Sequence, residues 1–190
     1  MRHLVRAQLD EAIETAQMAL ALTDVITDAA ARLVTALKAS HRILICGNGG
    51  SAADAQHFAC ELVGRFEIER MALPCVALTT DTSILTAVSN DYGYDAAFAR
   101  QVSALGARGD VLIGISTSGN SASVARAFAE GESKGMTLIA LLGRDGGKLG
   151  TLENACRIVV PARKTSAVQQ VHIMILHAWA RVIDDEFRGA

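Results

Sequence analysis

Apolar side chains recur at helical spacing through the first 39 residues: Leu4, Leu9, Ile13, Ala16 and Leu20, then Val25, Ile26, Ala29, Leu33 and Leu37. This spacing predicts two amphipathic helices, with Thr23-Asp24 supplying the break and the cap between them. The pattern then changes. Ile43-Leu44-Ile45-Cys46 is a short continuous apolar run ending in glycines, as expected of a parallel strand buried on both faces. Similar runs follow at 75–78, 111–115, 138–142 and 158–160, and the stretches between them (51–65, 83–105, 120–134 and 147–154) carry helical period. A last long helix is predicted over 166–187, with Val168, Val171, Ile175, Ala178, Trp179, Val182 and Ile183 at its apolar positions. Strand followed by helix, repeated, specifies βαβ units with right-handed crossovers, hence an α/β fold with a doubly wound, parallel five-stranded sheet. Pro74 and Pro161 flank strands, and no repeat, low-complexity tract or linker interrupts the chain. The expectation is one domain over residues 1–190, with N-terminal helices at 1–39 and an α/β core at 40–190.

Composition narrows the function classes. At 190 residues and 51% apolar content the chain can bury one substantial core, which excludes a mainly disordered or fibrous protein. Eighteen Lys and Arg against 20 Asp and Glu leave a formal charge of −2, without the basic excess of a dedicated nucleic-acid binder. No run of 18 or more apolar residues suggests a membrane span, and Arg6, Asp10, Glu11 and Glu14 interrupt any N-terminal signal run. Cysteines 46, 60, 75 and 156 show neither CxxC nor finger spacing, so they read as reduced thiols of a cytoplasmic protein. Aromatics at 4% suggest no base-stacking platform. The terminal helices are more apolar than one sheet face needs. They serve either as an intramolecular cover or as a helix-mediated contact between copies of the chain.

Two loops carry candidate chemistry, because ligands of open α/β sheets bind outside the carboxyl ends of the strands. Gly47-Asn48-Gly49-Gly50-Ser51 lies directly after the first strand and before a helix. Ser116-Thr117-Ser118-Gly119-Asn120-Ser121 occupies the matching place after the 111–115 strand. Glycines let backbone N–H groups approach an anion, hydroxyls donate to it, and each helix start adds its positive dipole end. Ser, Gly and Asn also favour such places as caps and turns, but two such loops at matching positions favour an anionic ligand. Gly47-x-Gly49-x-x-Ala52 formally fits the dinucleotide fingerprint. The acid that should hold the ribose about 20 residues on is missing, Asp81 being the first after the second strand. No Gly-Lys-Ser/Thr follows either loop, which excludes a P-loop, and no magnesium motif suggests a kinase. A phosphorylated small molecule without a nucleotide, such as a sugar phosphate, remains.

Metal-ligand side chains are also patterned. His57 and Glu61 are four apart and project from one helical face; Gln169 and His177, eight apart, share a face of the last helix, whereas His172 lies on another. A His-Glu pair and a Gln-His pair would complete a four-ligand site suited to zinc or another divalent first-row metal. The alternative is an ordinary i,i+4 surface pair and a capped core histidine. His3 and His41 read as solvated, and His172 as a packing or subunit-contact residue.

In combination these motifs resemble the phosphoheptose isomerases of the sugar isomerase (SIS) fold, a flavodoxin-like architecture. The resemblance rests on Cys-Gly-Asn-Gly-Gly-Ser (46–51), His57-Phe58-Ala59-x-Glu61-Leu62-x-Gly64-Arg65, Ser89-Asn90-Asp91 and Gly114 to Ser121. Asp145-Gly146-Gly147-Lys148 and Gln169-x-x-His172-x-x-x-x-His177 complete it, over essentially the whole chain. The family interconverts sedoheptulose 7-phosphate and D-glycero-D-manno-heptose 7-phosphate, the first step towards ADP-heptose for lipopolysaccharide. Its members are cytoplasmic homotetramers with zinc-assisted sites between subunits.

Carried over by motif, the resemblance implies one Zn²⁺ per subunit on His57, Glu61, Gln169 and His177. It implies substrate contacts at Asn48, Gly49, Gly50, Ser51, Glu61, Asn90, Asp91, Ser116, Thr117, Ser118, Ser121 and Gln169. Isomerisation through an enediol needs a base for the carbon proton and an acid at oxygen, the roles expected of Glu61 and His177. Expected partners are thus the sugar phosphate and further copies of the chain, with no nucleic acid and no membrane. Arg70-Met71 stands where the family often has Arg-Pro, so the loop there is expected to differ. A replication-initiation regulator of the same fold, which binds the initiator DnaA, is the alternative. It lacks a glutamate at the position of Glu61 and has threonine for the second glycine of Gly49-Gly50, whereas this chain keeps both. Sugar-phosphate-sensing SIS regulators usually carry a DNA-binding domain, and this chain shows none.

Overall fold

A computed structural model describes residues 1–189; Ala190, the end of the predicted domain, lies outside them. Helix α1 (Arg2–Ala19) bends through a 3₁₀ turn at Leu20–Leu22 into α2 (Thr23–Lys38). Neither Thr23 nor Asp24 caps α2, contrary to the sequence expectation: Leu22 holds the cap position, and Thr23 Oγ1 instead donates to Leu20 O at 2.6 Å. The hydroxyl is used backwards because the chain is already helical at Thr23. Then come β1 (Ile43–Gly47), α3 (Gly50–Val63), β2 (Cys75–Ala77), α4 (Thr82–Tyr92) and α5 (Ala97–Leu105). The chain continues through β3 (Val111–Ser116), α6 (Ala122–Ser133), β4 (Thr137–Gly143), β5 (Ala155–Val160) and α7 (Thr165–Glu186). The helical stretch predicted at 83–105 is thus two helices, divided at Gly93 and a 3₁₀ turn at Tyr94–Ala96. The stretch at 147–154 is no helix beyond one 3₁₀ turn at Leu149–Thr151, because its backbone groups bond to the neighbouring loop instead. β5 starts three residues before the predicted strand, the polar Arg157 having hidden it.

Among the described residues the five strands are all parallel, in the order β2-β1-β3-β4-β5. Alternate strand residues feed two cores, as a sheet covered on both faces requires. Ile43, Ile45, Ile113, Ile115, Ile139 and Leu141 pack under α2, α3 and α7 with Trp179 and Phe58. Leu44, Cys46, Leu112, Leu138 and Leu142 pack under α5 and α6 with Phe98 and Phe128. The four cysteines are free thiols, Cys60 exposed and the others buried. Among the described residues no helix is long and apolar enough to cross a membrane.

One buried ion pair ties α3 to α7. Arg70 Nε donates to Asp184 Oδ1 at 2.8 Å, while the backbone N–H groups of Glu67 and Ile68 donate to Asp184 Oδ2 at 2.8 and 3.1 Å. The rest of the guanidinium donates to the carbonyls of Leu62 and Glu61, acceptors at the end of α3, and to that of Met71.

Candidate active site

The strand order places the site. From β1 the chain crosses one face towards β2, and from β3 it crosses the other towards β4, so the two loops diverge where adjacent strands β1 and β3 end. Such a switch point leaves a crevice. It is a cleft of about 520 Å³, lined by Asn48, Gly49, Gly50 and Ser51 from the first loop, and by Ile115 to Ser118, Asn120 and Ser121 from the second, with Thr165 and Gln169 of α7 closing it. The starts of α3 and α6 both face this space, and the positive ends of their dipoles favour an anion.

Asn48 joins the loops. Its Nδ2 donates to Ser121 Oγ at 2.7 Å and Ser123 Oγ at 3.1 Å, and its Oδ1 accepts from Tyr94 Oη at 2.6 Å. Burial, and secondarily Cys46, pushes the Tyr94 phenol above its ordinary range, so it stays a donor. Gln169 lies directly over Gly50, where any Cβ would collide with its amide.

A second constellation sits about two turns further along the same two helices. His57 Nε2 is 2.9 Å from Glu61 Oε1 and 3.2 Å from His177 Nε2, and ligand atoms of the three lie within 4.8 Å of one another. Phe66 stacks on the His177 ring at 5.4 Å, and Arg70 fixes the Glu61 carbonyl. One nitrogen with one proton or one lone pair thus faces two partners. Tetrahedral ligands at ~2.0–2.1 Å from a zinc ion stand about 3.3 Å apart, close to these separations, so the three side chains fit a divalent cation. Asp54, one turn before His57, has a buried Oδ2 without a partner among the described residues; burial raises its carboxyl, and the nearby imidazole opposes this.

The structure therefore gathers Asn48, Gly49, Gly50, Ser51, Ser116, Thr117, Ser118, Ser121 and Gln169 in one cleft, and His57, Glu61 and His177 in one cluster. Gln169 is eight residues, ~12 Å of helix, from His177, and belongs by its lining position to the cleft. Asn90 and Asp91 lie outside the cleft lining, exposed at the end of α4, with Asn90 Nδ2 donating to Asp91 Oδ1 at 2.8 Å. His172 is fully buried, its Nε2 3.0 Å from Leu142 O. His41 is half-buried beside Asp110 rather than solvated, because the loop carrying Gly109 folds over its ring. Sequence reasoning missed Tyr94, Ser123 and Thr165. Only the second had a local signal, as a further hydroxyl after the 116–121 motif.

A model of the SIS domain matches residues 6–143, which defines the class of protein. The chain is 50% identical over 182 residues to a phosphoheptose isomerase of Alkalilimnicola ehrlichii, covering 94% of this chain and 93% of that one. It is 49% identical over 187 residues to that of Neisseria meningitidis, with 97% and 95% covered. A solved phosphoheptose isomerase from Neisseria gonorrhoeae superposes with a TM-score of 0.92 at 46% identity, covering 97% of this chain and 98% of that one. One from Francisella tularensis gives 0.88 at 38% identity, with 97% and 96% covered. The chain belongs to the phosphoheptose isomerases, within the SIS-domain family.

Proposed function

We propose that the chain is an aldose–ketose isomerase that converts sedoheptulose 7-phosphate to D-glycero-D-manno-heptose 7-phosphate, which begins ADP-heptose synthesis for lipopolysaccharide. The observation that carries this reading is the spacing of the two constellations. The anion-binding cleft and the His57–Glu61–His177 cluster lie about two turns apart along α3 and α7, ~10–12 Å. That suits a substrate with its phosphate and its reacting carbons at opposite ends of a seven-carbon chain.

In this reading the 116–121 loop and the start of α3 grip the phosphate. Glu61 removes the proton from C2 of the aldose, or C1 of the ketose, and returns it to the neighbouring carbon, while His177 moves the proton at oxygen. His57, Glu61 and His177 would hold a zinc ion, while Gln169 lines the cleft. When bound, that ion polarises the substrate carbonyl and offsets the developing negative charge. A carboxylate has two oxygens, so the one beside His57 leaves a second for the carbon proton.

Homotetramer formation belongs to the same proposal. Leu4, Val5, Leu9, Ile13 and Met18 of α1 are exposed, and an apolar groove of about 610 Å³ runs between α1, α2 and α7. Apolar surface of this extent supports burial against further copies of the chain, and the exposed Asn90 and Asp91 would then complete a site between subunits. The free thiols agree with a cytoplasmic location. The test is an isomerase assay with sedoheptulose 7-phosphate run beside a DnaA pull-down. Turnover without DnaA retention supports the enzyme; retention without turnover overturns it in favour of the replication regulator.

A further inference from the structure

The sequence motif Asp145-Gly146-Gly147-Lys148 has no part in the chemistry above, yet it packs against the phosphate cradle. Gly119 has φ +66°, and a Cβ there would run into the carbonyl of Gly146. Gly147 has φ +51°, and a Cβ there would lie 2.6 Å from both Asn120 Nδ2 and Ser118 O. Two backbones thus meet with no room for a side chain on either. Leu149 N–H donates to Gly119 O at 2.9 Å, and Lys148 N–H to Asn120 Oδ1 at 3.1 Å. Asp145 Oδ1 accepts from Gly147 N–H at 3.1 Å, holding the turn in shape.

Asn120 is the link between the two loops. Its Nδ2 donates to Ser118 O at 2.9 Å and its backbone N–H donates to Ser118 Oγ at 3.2 Å. Both ends of its amide are therefore engaged within the protein, on Ser118 on one side and Lys148 on the other. Because Ser118 Oγ accepts from Asn120, its hydroxyl proton is left to donate outwards into the cleft.

We propose that Asn120, braced by the turn at 145–148, is a positioning residue that sets the Ser118 hydroxyl for the substrate's phosphate; this rests on the reading of the 116–121 loop as the phosphate cradle. Asn120→Ala removes the side-chain bonds to Ser118 O and Lys148 N–H that hold the Asn120 backbone N–H against Ser118 Oγ, and Gly147→Ala wedges the same contact apart from the opposite side. Ser116→Ala with Ser121→Ala is the reference, since it tests the cradle itself. Each full-length protein is assayed with sedoheptulose 7-phosphate, with inorganic phosphate as competitor, and its melting temperature is measured. The expected result is a rise of about tenfold in both KM and the phosphate inhibition constant for Asn120→Ala and Gly147→Ala. This is the scale of one lost charge-assisted hydrogen bond, with kcat within about twofold of wild type. A merely structural role would lower melting temperature without splitting KM from kcat. If the serine variant raises KM while both buttress variants keep wild-type KM and phosphate inhibition, the buttress is overturned and the cradle stands. If the serine variant leaves KM unchanged, the cradle fails and the proposal with it.

Discussion

Acid should strip stability from this protein through one residue, His172. The imidazole is fully buried on α7, with Nε2 3.0 Å from the carbonyl of Leu142 at the end of β4, and its Nδ1 is buried without a partner among the described residues. A carbonyl partner makes Nε2 the donor, so the neutral ring is the one the site accommodates. Protonation would place a charge in the core and give Nδ1 a hydrogen with nowhere to go. Burial therefore lowers the pKa from about 6.5 to about 4, against the smaller pull of the Leu142 bond. Between those values the unfolded chain binds a proton that the native state refuses, so the contribution is complete above pH 6.5 and is lost as pH falls towards 4. The integrated loss is ~3 kcal/mol, or ~6–12 °C in melting temperature for a chain of this size. The assay is a set of thermal melts from pH 7.5 to 4.0 at fixed protein concentration, for wild type and for His172→Gln, which keeps a neutral donor. The variant melts lower at pH 7.5, but wild type loses about 6–12 °C more than the variant across the series. Parallel curves would refute the reasoning.

Three further outcomes follow from the same contacts. Asp184→Ala leaves Arg70 charged and buried, and should cost about 3–5 kcal/mol, lowering the melting temperature by roughly 6–20 °C; a drop below about 2 °C in calorimetry refutes the bridge. Burial alone would raise the Asp184 carboxyl, but the Glu67 and Ile68 N–H groups and Arg70 outweigh it and hold it below the usual range. Glu61→Gln should lose about 10²–10⁴-fold in kcat while still binding the sugar phosphate, and near-normal turnover removes Glu61 from the chemistry. Purified protein should hold about one divalent ion per subunit by elemental analysis. Chelation should lower activity, zinc should restore it, and His57→Ala should lose the ion with an unchanged circular dichroism spectrum. Full activity in a metal-free sample leaves Glu61 and His177 as an acid–base pair.

The local pattern determined what is local. Continuous apolar runs such as Ile43 to Cys46 can be satisfied only when both faces are covered, so the parallel sheet and its flanking helices were legible from periodicity. So were the two loops, because glycines and hydroxyls between a strand and a helix leave few other conformations. The pairing of His57 with Glu61 followed from helical spacing alone. Tertiary structure decided the rest. That His177 reaches His57 depends on how α7 lies against α3, set by Phe58, Trp179 and the buried Arg70–Asp184 pair, more than a hundred residues apart in sequence. Tyr94 meets Asn48 only because the chain breaks at Gly93, and residues 147–154 gave up a helix because their backbone groups bond to the neighbouring loop. Periodicity records which face of an element is buried, whereas contacts between distant elements depend on packing angles and bond geometry that no local window contains.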